Sequence, residues 1–178
     1  QNSLSRLTLD VTSNQSGYDY LNDLFVKRHR KLLTVSARRL FVILACLMAM
    51  SIVLVLVLPD AAAPVNEIMM NLLPYFVFIM YLINRGSVIT QAMFFNCDHS
   101  MLAYRFYRQP QAVLSLFRSR LKVLIRINLL PASVLAFGFP ILLAASGGTD
   151  QWINYLLLPV SIFAMSVFFS VHHLVLYY

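Results

Sequence analysis

The placement of positive charge constrains this chain more than any other feature. All fourteen Lys and Arg residues fall in two blocks, residues 6–39 and 85–126. The connections around Asp60–Glu67 and Gly147–Trp152 hold three acidic residues and no basic one. Basic loops are retained on the cytoplasmic side of a membrane while neutral or acidic loops cross readily, so the pattern predicts a multispanning protein with both basic blocks in the cytoplasm. The composition agrees, because 60% hydrophobic and 12% charged residues leave too little polar surface for a water-soluble domain. A net charge of +7 then reflects topology and attraction to anionic headgroups, and nucleic acid is not an expected partner.

Four apolar segments are long enough to matter against a hydrocarbon core of about 30 Å, which takes roughly 20 helical residues. They cover about 40–58, 68–84, 127–146 and 152–178. The first is preceded by Arg38 and Arg39 and closed by Pro59, so it begins inside and ends outside. The second meets Arg85, although apolar text resumes at Val88 and Ile89 and predicts a helix continuing past the bilayer. The third is stopped by Gly147 and Gly148, and the fourth opens on Trp152 at the outer interface. A nineteen-residue run such as Leu40–Leu58 is too long for a strand. The expected fold is therefore all-α: a polytopic transmembrane helical bundle of four spanning helices plus cytoplasmic amphipathic helices.

Around the spans, residues 1–19 read as a polar cytoplasmic lead-in, 20–37 as an amphipathic interfacial helix, and 38–178 as the transmembrane domain with a cytoplasmic loop over 85–126. In the interfacial helix Leu21, Leu24, Phe25, Leu32 and Val35 form one face, with Asp23, Lys27, Arg30 and Lys31 opposite and Arg28 among the basic residues. In the loop, Arg118, Lys122 and Arg126 form a basic ridge at i, i+4 and i+8, and Leu114, Phe117, Leu121 and Leu124 an apolar face. The loop is far longer than a helical hairpin needs, which points to a docking surface or, alternatively, to retention charge that binds headgroups. The chain ends at Tyr178 inside apolar text and does not begin with Met, which predicts that it belongs to a longer polypeptide.

Catalytic signals are weak. Asp98 and His99 are adjacent, so their side chains diverge on a helix, and no Ser or Cys nucleophile accompanies them. His172 and His173 lie deep in the fourth segment, where a polar residue is expected to face a cavity or another helix. Cys46 and Cys97 have neither CxxC nor Cys/His spacing, and no metal or cofactor is expected in this chain. Prolines 74, 131, 140 and 159 each remove a backbone donor and are expected to kink their helices. No GxxxxGK[ST] loop is present, so ATP would have to be bound by another chain.

An amphipathic helix before span one, a helical excursion between spans two and three, and short acidic outer loops together resemble the membrane subunits of ABC-2 type exporters. The stretch Phe94-Phe95-Asn96-Cys97-Asp98-His99-Ser100, followed by Tyr104-Arg105-Phe106-Tyr107-Arg108-Gln109-Pro110, is similar to putative ABC exporter permeases of bacteria. The resemblance implies a plasma-membrane permease, part of a larger protein with more spans, working by alternating access. Its partner would be a separate ABC ATPase subunit, carrying the ATP and docking on the loop over 94–126, with a second permease half or a homodimer mate beside it. It also implies that Tyr20–Val35 serves as the connecting helix, and that Phe95, Asp98, His99, Tyr104, Arg105, Tyr107 and Arg108 make the coupling contacts. Two other readings stay open: a membrane-embedded enzyme acting on lipid or phosphate headgroups through Asp98, His99 and the arginines, and a non-transporting scaffold subunit.

Overall fold

The structure, a computed structural model, describes residues 17–99, 103–105, 109–149 and 151–178. Helix α1 (Gly17–Val57) runs 41 residues without interruption, about 60 Å at 1.5 Å per residue. The second apolar segment is assembled in pieces: a 3₁₀ turn at Pro59–Ala61, α2 (Ala62–Leu72), a second 3₁₀ turn at Leu73–Tyr75, α3 (Phe76–Ile83) and α4 (Gly86–Met93). A π-helical turn over Phe94–Asp98 follows, then α5 (Pro110–Ala145) and α6 (Ile153–Tyr177). No strand occurs among the described residues. Four stretches, Leu33–Val57, Pro59–Met93, Pro110–Ala145 and Ile153–Tyr177, are long and apolar enough to cross a membrane.

Their outer faces say what surrounds them. Leu82 is 74% exposed and Leu176 73%, and Leu56, Val57 and Phe78 are exposed as well. Soluble monomers rarely leave so many large apolar side chains bare, whereas hydrocarbon tails cover them without cost. The chain is thus a multi-pass membrane protein. Inside, α1 packs along α5, and α5 along α6. Small residues let the axes approach: Ala132 and Ala136 are buried on α5, and a Cβ on Gly138 would lie 2.7 Å from Met48 Cε of α1. Close backbone approach substitutes for the hydrophobic drive that lipid cannot supply.

The bundle has two chemically different ends. At one end Phe25 and Leu33 of α1 meet Ile89 and Met93 of α4, Leu124 of α5 and Leu174 of α6. Both basic blocks converge there, since Arg39 and Arg85 line one groove. At the opposite end Asn66 of α2 donates from Nδ2 to the carbonyls of Ser146 (3.3 Å) and Gly148 (3.2 Å), beside exposed Asp60 and Glu67. This contact clasps the turn after α5. That turn is a Schellman cap, in which Gly147 and Gly148 adopt φ +110° and +78° and the Gly148 N–H reaches the Leu143 carbonyl at 2.8 Å.

The helix boundaries differ from those read in the sequence. The stretch 20–37 is not a separate interfacial helix but the first half of α1. No Gly or Pro occurs between residues 18 and 58, so nothing in the chain can end the helix before the span. Likewise Gln111–Arg126 is continuous with the third span as one 36-residue helix. The second span, expected over 68–84 with a kink at Pro74, is interrupted there by the 3₁₀ turn Leu73–Tyr75, begins earlier, at Pro59, and resumes after Asn84 as α4. Helices α5 and α6 run on through Pro131, Pro140 and Pro159.

Candidate functional site

The break after α3 organises the basic end. Asn84 is extended (φ −65°, ψ 128°), which ends the helix and frees backbone donors within an apolar bundle. An unpaired amide in hydrocarbon costs several kcal/mol, so the break requires partners. Asn128 of α5 supplies one, accepting the Arg85 N–H on Oδ1 at 2.9 Å, and Asn84 caps α4 itself by accepting the Gly86 N–H on its own Oδ1 at 2.8 Å. Asn128 Nδ2 then donates to Asn84 Oδ1 (3.2 Å) and Ser170 Oγ (2.9 Å), while Ser170 Oγ donates to the Ser166 carbonyl (2.7 Å). Asn84, Asn128, Ser166 and Ser170 are all buried. Three spans are therefore pinned together at the break by side chains that satisfy one another.

Beside this network α4 lies tight against α6. A Cβ on Gly86 would fall 2.5 Å from the ring Cδ2 of His173 and 2.6 Å from its Cβ, so only glycine fits between the two helices. His173 also stacks on Tyr81 (centroids 5.6 Å apart), whereas His172 is exposed and stacks on Phe168. The sequence expectation that both histidines face a cavity or another helix holds for His173 alone. The exposed His172 ring lies flat on an aromatic face instead.

From α4 the chain enters the π turn, closed by the His99 N–H on the Phe94 carbonyl. A π turn brings residue i+5 back over residue i, so Asp98 returns to the buried side shared by Met93. Regular α winding would have carried it about 140° away. There Asp98 receives both terminal nitrogens of Arg120 on α5 and the hydroxyl of Tyr177 at the end of α6. Arg120 also donates to the Tyr178 hydroxyl at 2.8 Å, and its guanidinium lies 5.8 Å from that ring's centroid. Carboxylate and guanidinium are both nearly inaccessible, at 3% and 2%. A bidentate charged pair at such depth ties the start of the loop to two spans at once.

Around this clamp several described loop residues face outward. Phe95 is 77% exposed and Tyr104 59%, and His99 and Arg105 are exposed as well. Asp98, expected among the docking residues, is instead turned inward, because an unpaired guanidinium at Arg120 would be costly. Asp98 and His99 thus do not share an open site. Tyr107 and Arg108 lie outside the described residues, as does the side chain of Leu21. Along the start of α1, Phe25 is buried and Leu24 half-buried, and Lys27 and Arg28 are exposed, with Lys27 paired to Asp23 at 2.8 Å. Val35, read on the same apolar face as Leu24 and Phe25, is 42% exposed.

The basic ridge Arg118, Lys122 and Arg126 faces out as its spacing implies. The buried stripe of α5, however, runs through Ala112, Leu116, Arg120, Leu124 and Asn128, with Leu114 exposed. Arg120 and Asn128 stand in the sequence as polar interruptions of an i, i+4 apolar series, on the face opposite the basic ridge. Among the described residues no three His, Cys, Asp or Glu side chains gather as metal ligands would. Comparison with protein-family models, with curated proteins and with solved structures finds no match to this chain.

Proposed function

We propose that the chain is the membrane-spanning permease subunit of an ABC-2 type exporter, driven by a separate ATPase subunit that docks on the cytoplasmic loop and the basic ridge over 94–126. One observation supports this most. Phe95, His99, Tyr104 and Arg105 are exposed aromatic and basic residues that lie along the chain on either side of a carboxylate locked to α5 and α6. A partner pressing on these residues would move the spans through Asp98 rather than merely bend a loop. Exposed aromatic rings and arginines are the residue types that anchor protein interfaces, and the break at Asn84 gives the second span a joint across which α4 can shift relative to α3. The reading places residues 94–126 in the cytosol of a cell whose plasma membrane the four helices cross.

The proposal is tested by the double charge reversal Arg105→Glu/Arg108→Glu in the complete transporter. Charge pairs at interfaces are worth about 2–5 kcal/mol when one partner is removed, so co-purification of the ATPase should fall at least about tenfold, with membrane insertion intact. Unchanged recovery of the ATPase, or no ATPase recovered with the unaltered protein, contradicts the assignment.

A further inference from the structure

Between α1 and the broken second span lies a groove of about 640 Å³, lined on one side by Ser36, Arg39, Leu40 and Ile43 and on the other by Arg85 and Val88. Its charge is one-sided, with two guanidinium groups and no carboxylate in the lining. Arg39 is exposed and Arg85 half-buried, and Arg85 Nε is buried without a hydrogen-bond partner among the described residues. The only Arg85 donor engaged there is its backbone N–H, held by Asn128. The apolar rim is open outward, with Ile43 and Val88 both exposed. Arg39 directly precedes the apolar run that starts at Leu40, so the groove straddles the boundary between headgroups and hydrocarbon.

We propose that this groove binds one anionic phospholipid from the leaflet at the basic end, its phosphate between Arg39 and Arg85 and an acyl chain along Leu40, Ile43 and Val88. Guanidinium groups present N–H donors in the geometry that phosphate oxygens accept. A zwitterionic lipid carries the same phosphate, but its cationic group would find no carboxylate in the groove and two arginines instead. The site does not depend on the ATPase partner proposed above. Because Arg85 forms the break itself, a lipid seated here also holds the joint between α3 and α4.

The test is competitive retention by the purified chain in neutral detergent, read by native mass spectrometry with equal phosphatidylglycerol and phosphatidylcholine. Phosphatidylglycerol is expected to be retained at least about tenfold over phosphatidylcholine, and Arg39→Gln and Arg85→Gln to weaken it about fivefold each, the usual worth of a basic residue at an anionic surface. Ser133→Ala, outside the groove, should leave retention unchanged. Arg39 is exposed, so its variant reports even where Arg85→Gln disturbs the break. Equal retention of the two lipids, undiminished retention in Arg39→Gln, or displacement by an equal concentration of glycerol phosphate lacking acyl chains would each overturn the proposal.

Discussion

Asp98→Ala is expected to lower the stability of the folded bundle by about 3–5 kcal/mol, since it strands a buried guanidinium without its counter-charge. Arg120 has nowhere to turn: its side chain sits at 2% exposure between α5 and the end of α6. Arg120→Ala should cost a similar amount by stranding the carboxylate. The double replacement Asp98→Leu/Arg120→Met should recover most of the loss, because an apolar pair of similar volume removes both desolvation penalties together. Thermal unfolding in detergent micelles, followed by circular dichroism, measures all three. Single-variant losses below about 1 kcal/mol, typical of exposed ion pairs, would mean that the clamp is solvated and cannot transmit force.

The second large effect belongs to Asn128. Asn128→Leu fills the same space but withdraws the acceptor of the Arg85 N–H, and an orphaned buried donor costs about 1–3 kcal/mol. The remaining members keep partners, since Asn84 still accepts from Gly86 and donates to Ser170. The damage should therefore be local, with amide exchange over residues 84–93 accelerating about tenfold while the core formed by Met80, Leu135 and Ile162 stays protected. Ser133→Ala, on the same helix, touches only the Leu130 carbonyl and should change nothing measurable. Uniform acceleration across all spans would show that the network holds the whole bundle rather than the break.

These two sites mark where the sequence stops being readable. Fold class and span number follow from apolar length and the two basic blocks, properties of composition along a line. The phase of α5 is also encoded there, since Ala112, Leu116, Leu124 and Ala132 recur at i, i+4 spacing. Arg120 and Asn128 interrupt that series, and an arginine in phase with an apolar stripe announces a buried partner. Which partner it has was not legible, because Asp98 lies 22 residues away and reaches it only through a π turn that no residue in Phe94–Asp98 signals. The break at Asn84 was hidden for a similar reason: Asn84-Arg85-Gly86 reads as an ordinary polar boundary until Asn128, Ser166 and Ser170 are seen to meet it. The continuity of α1 was readable in the missing Gly and Pro, although amphipathic patterning suggested a division that the backbone does not make.

The most direct measurement uses single cysteines in a Cys46→Ala/Cys97→Ala background, introduced as Arg105→Cys in the loop and Asp60→Cys at the opposite end, both exposed positions. Intact cells are treated with a membrane-impermeant maleimide, then permeabilised and treated again. The expected result is labelling of position 60 in intact cells and of position 105 only after permeabilisation. Labelling of position 105 from outside, with position 60 protected, would contradict the orientation on which the proposed docking of an ATPase depends.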